Sequence, residues 1–222
     1  MNRKLTLDPW GSVSMLLNLA ILALGAVALS SEVEGVSEFR MFTIDGNIFV
    51  AFTSLLFLVF QAIGLFRGKP FLGYLSALLR LMATVTEAVI FLVVLLVLVP
   101  MTGTMLITGF GMVTLHLVNP LLCLVSFVFF ERHEWKGRFG TYALGCFPLY
   151  AYASIAVVLV LAKVWTGNQI PYPFLDLYQN PVWESVLYFG AILGGALFLS
   201  WLLVWVNLAW TQWSRTNERQ GR

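Results

Sequence analysis

The chain has 222 residues, of which 59% are hydrophobic and only 11% are charged, and its mean hydropathy is +0.86. Soluble domains are about a quarter charged, and a soluble protein this apolar could not cover its own surface with polar groups. The composition therefore excludes an ordinary soluble protein and predicts an integral membrane protein. The formal net charge of +2 indicates no particular partner and gives no sign of nucleic-acid binding.

Six apolar stretches are long enough to cross a bilayer as helices, which takes about 20 residues each. These stretches are residues 10–30, 43–66, 72–99, 110–130, 141–165 and 182–210. The first follows two basic residues and resembles a signal peptide, but its apolar run is longer than such a peptide needs, so we expect an uncleaved span. The sequence thus predicts an all-α, single-domain bundle of six transmembrane helices.

The basic residues predict the orientation of this bundle, because cytoplasmic loops carry an excess of Lys and Arg. If the spans alternate in direction, eleven of the 13 Lys and Arg residues fall on the side that holds both termini. Only Arg40 and Lys163 fall on the other side. We therefore expect both termini to be cytoplasmic, and the second and fourth spans to run inward from the outer face.

Polar residues near the outer ends of the second and fourth spans are candidates for chemistry. Thr43, Asp45 and Asn47 open the second span, where an N-terminal helix cap is the structural alternative. His116 and Asn119 share one face of the fourth span, where a histidine that only hydrogen-bonds between helices is the alternative. The predicted depths of Thr43 and His116 are similar, so the two side chains are allowed to meet.

A threonine beside a histidine points to nucleophilic catalysis, because the imidazole can accept the proton of the hydroxyl. A third group would fix the tautomer of the imidazole, and Asp45 and Asp176 both lie on the correct side of the membrane for this role. The side-chain amide of Asn47 or Asn119 would donate to the oxyanion. The sequence leaves both choices open.

Arg80 and Glu87 share a face of the third span, about 10.5 Å apart along its axis, which is too far for a tight pair. We expect Arg80 to reach the cytoplasmic interface, and Glu87 to bond to a neighbouring helix or to be protonated. Because such groups also mark ion paths, a small ion-coupled transporter is a second hypothesis. A non-catalytic lipid- or partner-binding scaffold is a third, and it predicts that Thr43 and His116 lie far apart.

Three motifs carry a resemblance to a known family: Phe42-Thr43, His116 with Pro120 four residues later, and Pro-Tyr-Pro-Phe-Leu-Asp over 171–176. They resemble a bacterial branch of the family that contains the androgen-induced and androgen-dependent TFPI-regulating membrane proteins. The resemblance covers most of the chain in span order and spacing.

This resemblance implies an atypical threonine hydrolase that cleaves fatty acid esters of hydroxy fatty acids, with Thr43 as nucleophile and His116 as general base. It implies a membrane lipid or acyl ester as the partner and a location in the bacterial cytoplasmic membrane. No metal or organic cofactor is expected, because the proposed chemistry needs none and no zinc-ligand set is evident at the depth of His116.

Overall fold

The computed structural model describes residues 9–69, 71–133, 135 and 137–220, and all regular elements within these ranges are helical. Five helices in this part of the chain are long and apolar enough to cross a membrane, and there are six such spans if one bent pair counts as one. The orientation stays a prediction. Several residues on which it rests, Arg3, Lys4, Lys136 and Arg222, lie outside the described residues.

The helices follow the predicted spans closely, and we number them α1 to α7. They are α1 (Pro9–Glu32), α2 (Phe42–Arg67), α3 (Gly73–Thr102), α4 (Phe110–Phe130), α5 (Phe139–Gly145), α6 (Phe147–Leu161) and α7 (Val182–Gln220). The fifth predicted span is divided between α5 and α6, which are bent by 57° relative to each other. Pro148 in the first turn of α6 has no backbone N–H to donate to α5, which explains the break.

α3 and α4 each contain a π-helical turn just before a proline. In α4 this turn is Thr114–Val118, and the N–H of Asn119 donates to the carbonyl of Thr114, five residues back. Pro120 cannot donate the hydrogen bond that the carbonyl of His116 would accept in a regular helix. The wider turn accommodates this gap, and it places His116 at an irregular point of the helix.

The helices present apolar side chains outward and bury many polar ones, which is the arrangement expected of a protein surrounded by lipid. Exposed residues on the long helices include Leu16, Leu19, Phe52, Phe198 and Trp205. Buried polar residues include Ser14, Asn18, Thr53, Ser54, Arg80 and Asn207. This distribution, together with the helix lengths, supports a multi-pass membrane protein.

The side chain of Arg80 is 0% exposed and forms an ion pair with Glu131, which directly follows α4, at 3.0 Å between Nε and Oε1. Arg80 thus reaches the end of α4 that the sequence predicts to be cytoplasmic, but its side chain is buried there by Glu131 and is not exposed at an interface. The sequence places Glu131 in a polar loop, whereas the structure buries its carboxylate against the guanidinium. Burial alone would raise the pKa of Glu131, but Arg80, His133 and Ser126 outweigh it and lower the pKa to about 2.

Hydrogen bonds from several helices complete the network around this ion pair. Arg80 donates to Ser54 Oγ (3.1 Å), Ser126 and Asn18 donate to Glu131 Oε1 (2.8 and 3.3 Å), and Asn207 donates to the carbonyl of Glu131 (2.7 Å). These residues belong to α1, α2, α3, α4 and α7. The ion pair, together with the backbone carbonyl of Glu131, thus connects five helices.

Removing one member of this pair should destabilise the protein strongly. Arg80→Met leaves the buried carboxylate of Glu131 without the guanidinium and with His133, 3.2 Å from Oε2, as its remaining basic neighbour; breaking a buried pair in this way typically costs about 3–5 kcal/mol. The double variant Arg80→Met/Glu131→Leu should recover much of this loss, because neither charge then remains in the interior. Thermal unfolding in detergent measures both variants, and a double variant that unfolds at a lower temperature than Arg80→Met would contradict this account.

Candidate active site

Thr43 and His116 meet near the start of α2. Thr43 is the second residue of α2 and His116 lies in the π turn of α4, and their side chains approach to 3.3 Å between Oγ1 and Nε2. Thr43 is 8% exposed and His116 is 4% exposed. The structure thus brings the hydroxyl within hydrogen-bond distance of the imidazole, as activation of a threonine nucleophile requires.

The backbone carbonyl of Leu106 fixes the orientation of the His116 ring. Nδ1 lies 2.6 Å from this oxygen. A carbonyl oxygen can only accept, so Nδ1 must carry the proton of this hydrogen bond. In the neutral ring Nε2 then has the free lone pair, and Nε2 is the nitrogen that faces Thr43. This is the tautomer that a general base needs.

The two carboxylates that were expected to orient His116 do not contact its ring. Both ring nitrogens are already occupied, by Leu106 and Thr43. Asp45 lines a separate groove, and Asp176 accepts the backbone N–H groups of the residues two and three positions after it. The expectation that Asp45 or Asp176 orients the imidazole is therefore wrong. The role falls to a backbone carbonyl of the turn Thr104–Ile107, which side-chain chemistry in the sequence does not reveal.

The amides of Asn47 and Asn119 connect helices. Asn47 Nδ2 donates to the carbonyls of Thr43 (2.9 Å) and Leu115 (3.2 Å), which occupies both of its N–H groups. Asn119 Nδ2 donates to Asn47 Oδ1 at 3.0 Å. Asn47 therefore has no donor left for an oxyanion, contrary to one of the two sequence-based alternatives. The two amides hold the first turn of α2 against α4 and so fix the position of Thr43.

An apolar cavity of about 50 Å³ adjoins Thr43. Its walls come from α2, α3, α6, α7 and the loop before α7, and among the lining residues only Thr43, Tyr152 and Tyr172 carry polar side-chain groups. The hydroxyl of Tyr152 donates to the carbonyl of Arg40 at 2.6 Å. The side-chain chemistry available inside this cavity therefore comes from Thr43 and Tyr172.

A second, larger groove of about 360 Å³ lies between α2 and α6. Asp45 and several aromatic residues line it, and it shares Phe42 and Tyr152 with the cavity beside Thr43. The rings of these two shared residues are 5.0 Å apart and form the wall between the two spaces. A ligand that filled both spaces would have to pass this aromatic pair.

Tyr172 also belongs to the site, although it was not among the site residues predicted from the sequence. Its hydroxyl interacts with the hydroxyl of Thr43 and with the backbone of Phe42 and Thr43. Its ring stacks parallel to Phe174, with centroids 5.4 Å apart. Burial raises the pKa of Tyr172 to about 12, although the contacts with Thr43 and Phe42 act in the opposite direction. The Pro-Tyr-Pro-Phe-Leu-Asp motif was the available signal, but nothing in it indicates contact with α2.

Glu87 is not part of the Thr43–His116 pair. It is 0% exposed, and neither carboxyl oxygen has a hydrogen-bond partner among the described residues. Of the two predicted alternatives, a bond from Glu87 to a neighbouring helix is thus not seen among the described residues. The other alternative, that the carboxyl is protonated, remains. Across the ranges that the structure covers, no group of three or more His, Cys, Asp or Glu could hold a metal ion.

Comparisons of the chain with protein-family models, with curated proteins and with solved structures found no match. The geometry of the site is therefore the basis for any functional proposal.

Replacing Asn47 should destabilise the site and the bundle together. In Asn47→Leu the carbonyls of Thr43 and Leu115 lose a donor and the amide of Asn119 loses its acceptor, and each buried group left unpaired costs about 1–3 kcal/mol. We expect a clear drop in unfolding temperature in detergent, whereas Asn168→Leu, at an exposed position in the turn Gly167–Gln169, should change it little. Equal unfolding temperatures for Asn47→Leu and wild type would contradict the role given to Asn47.

Proposed function

We propose that the protein is an intramembrane lipid-ester hydrolase in which Thr43 is the nucleophile and His116 is the general base. One observation carries this proposal: the 3.3 Å contact between Thr43 Oγ1 and His116 Nε2, with Nδ1 of the same ring held by the carbonyl of Leu106. A hydroxyl is a weak nucleophile at neutral pH, and an imidazole positioned to accept its proton makes it competent.

The first half-reaction forms an acyl-threonine. Oγ1 of Thr43 attacks the ester carbonyl carbon while His116 Nε2 takes the hydroxyl proton. The resulting tetrahedral oxyanion collapses, the bond from the carbonyl carbon to the alcohol oxygen breaks, and the alcohol leaves with the proton from Nε2. The carbonyl of Leu106 favours this step, because it accepts a hydrogen bond from the imidazolium that forms transiently.

The second half-reaction releases the acid. His116 Nε2 takes a proton from a water molecule, whose oxygen attacks the acyl-threonine carbonyl. The second tetrahedral intermediate then breaks its bond to Oγ1, and the proton on Nε2 returns to Thr43. Thr43 lies in the first turn of α2, next to the exposed turn Val36–Arg40, so water has only a short distance to travel.

The surroundings of Thr43 favour an acyl ester over a polar substrate. The adjoining cavity is lined by aliphatic and aromatic side chains except for its three hydroxyl groups, which suits a hydrocarbon. Its volume of about 50 Å³ holds only a short part of an acyl chain, so the rest of the chain would extend beyond it. The motif resemblance favours fatty acid esters of hydroxy fatty acids as the substrates. It also favours a six-span bundle in the bacterial cytoplasmic membrane, with the site toward the outer leaflet.

The two alternative hypotheses fit the geometry less well. A scaffold without chemistry predicts that Thr43 and His116 lie far apart, which does not agree with their separation of 3.3 Å. A transporter would use Arg80 and Glu87 along an ion path, but Arg80 is held by Glu131 and Ser54 in a buried network. Among the described residues, Arg80 Nη2 and the carboxyl of Glu87 have no hydrogen-bond partner, and these groups still support that hypothesis.

Thr43→Ala and His116→Gln should each lower ester hydrolysis by at least about 1,000-fold, because members of a nucleophile–base unit act together. The assay follows release of 4-nitrophenol from medium-chain acyl esters by purified protein in detergent micelles. Thr53→Ala is the matched control, since Thr53 is also a buried threonine of α2 and its hydroxyl donates to the carbonyl of Val50 within its own helix. Wild-type activity in Thr43→Ala would refute the proposed function.

A further inference from the structure

The proposed reaction needs a hydrogen-bond donor at the carbonyl oxygen, because negative charge develops there when Thr43 attacks. Removing such a donor from an acyl-transfer enzyme typically costs about 100- to 1,000-fold in rate. The two amides that the sequence suggested are poorly placed for this role: Asn47 uses both N–H groups on backbone carbonyls, and Asn119 donates one N–H to Asn47 and is not among the residues that line the cavity. A side chain that does line the cavity beside Thr43 is a better candidate for the donor.

Tyr172 is the polar side chain in the best position for this role. Among the residues that line the cavity, only Thr43, Tyr152 and Tyr172 carry polar side-chain groups, and the hydroxyl of Tyr152 is donated to Arg40. Tyr172 lines the cavity together with Thr43, and its hydroxyl interacts with the hydroxyl of Thr43. It therefore lies where a carbonyl attacked by Thr43 would have to bind.

We propose that Tyr172 is a third catalytic residue, whose phenol donates a hydrogen bond to the oxyanion formed on the ester carbonyl. The inference rests on the proposed function and adds to it the group that stabilises the tetrahedral intermediates. The ester carbonyl enters between Oγ1 of Thr43 and the phenol, and its oxygen replaces Thr43 as the partner of that phenol.

The loop that carries Tyr172 is held in place, which a donor of this kind requires if it is not to reorganise during the reaction. Phe174 is buried and stacks on both Tyr172 and Tyr188. Asn180 donates to the carbonyl of Pro173 at 2.6 Å. Earlier in the loop, Arg40 donates to the carbonyl of Gln169 at 3.3 Å.

The protonation state of Tyr172 agrees with a donor role. Because its pKa is raised to about 12, the phenol keeps its proton throughout the neutral range. It can then share the proton with a developing oxyanion without giving it up. Thr43 and Tyr172 thus have separate tasks: the first forms the covalent bond and the second stabilises charge.

The test compares Tyr172→Phe with Tyr178→Phe in hydrolysis of 4-nitrophenyl acyl esters. Both tyrosines lie in the loop before α7, but the hydroxyl of Tyr178 donates to the carbonyl of Leu161, outside the cavity. Tyr172→Phe should lower kcat by about 100-fold or more with little change in KM, since the donor acts mainly in the transition state. Tyr178→Phe should retain wild-type kcat.

An inhibitor pair separates a catalytic from a structural role of Tyr172. An alkyl trifluoromethyl ketone forms a tetrahedral adduct with an oxyanion, whereas the matching alkyl ether only fills the acyl site. Tyr172→Phe should weaken binding of the ketone by about 100-fold and leave the affinity for the ether within about twofold of wild type. Equal weakening of both compounds would overturn the proposal, because it would mean that Tyr172 only shapes the cavity.

A second variant keeps the proposal testable if Tyr172→Phe does not fold. Replacing Tyr172 by 3,5-difluorotyrosine preserves the hydroxyl but makes the phenol more acidic. Since a phenolate cannot donate, the loss of activity at alkaline pH should move to lower pH. An unchanged pH profile would overturn the proposal.

The results also distinguish this inference from the proposed function. If Thr43→Ala is inactive while Tyr172→Phe is fully active, only the role of Tyr172 is wrong. If Thr43→Ala is as active as wild type, the proposed function fails and the role of Tyr172 fails with it.

Discussion

The buried ion pair between Arg80 and Glu131 is the interaction on which the arrangement of the helices depends. In a bilayer no water is available to solvate a charge, so a guanidinium in the interior must find its partners within the protein. Glu131 supplies the counter-charge, and Asn18, Ser54 and Ser126 supply hydrogen bonds from three further positions. The network fixes α3 and α4 relative to each other. α4 carries His116 and α3 forms much of the wall of the cavity, so the ion pair joins the two helices on which these parts of the site are built.

Departures from regular helix geometry then give the site its particular form. Pro120 interrupts the hydrogen-bond ladder of α4 and produces the π turn in which His116 lies. The short turn before α4 brings the carbonyl of Leu106 to Nδ1, and the first turn of α2 presents Thr43 to Nε2. Each feature comes from backbone geometry at the end of a helix or at a proline. A site of this kind needs few conspicuous side chains, which is consistent with the absence of a carboxylate on the imidazole.

The spans were predictable because bilayer thickness sets the length of an apolar helix, and each predicted stretch corresponds to a helix or, for the fifth, to a bent pair. The sequence could predict only that Thr43 and His116 lie at similar depths in the membrane. It could not predict that they are in contact, because the length of an apolar stretch does not show which helices pack against each other. The pairing of Glu131 with Arg80 was not predictable, because a charge that directly follows an apolar run is typical of an exposed loop. The role of Leu106 could not be predicted, because a backbone carbonyl has no signature in the sequence. Tyr172 stood within a noted motif, but its contact with α2 depends on how the loop folds back over the bundle.

The central claim is that Thr43 becomes covalently acylated through activation by His116. Peptide-mapping mass spectrometry after reaction with an alkyl fluorophosphonate tests this claim most directly, because it identifies which residue is modified, whereas an activity assay gives only an overall rate. The account predicts a single phosphonyl adduct on Thr43 in the wild-type protein and no adduct at that position in His116→Gln. An adduct on another hydroxyl or thiol, or labelling of Thr43 that is unaffected by His116→Gln, would contradict it.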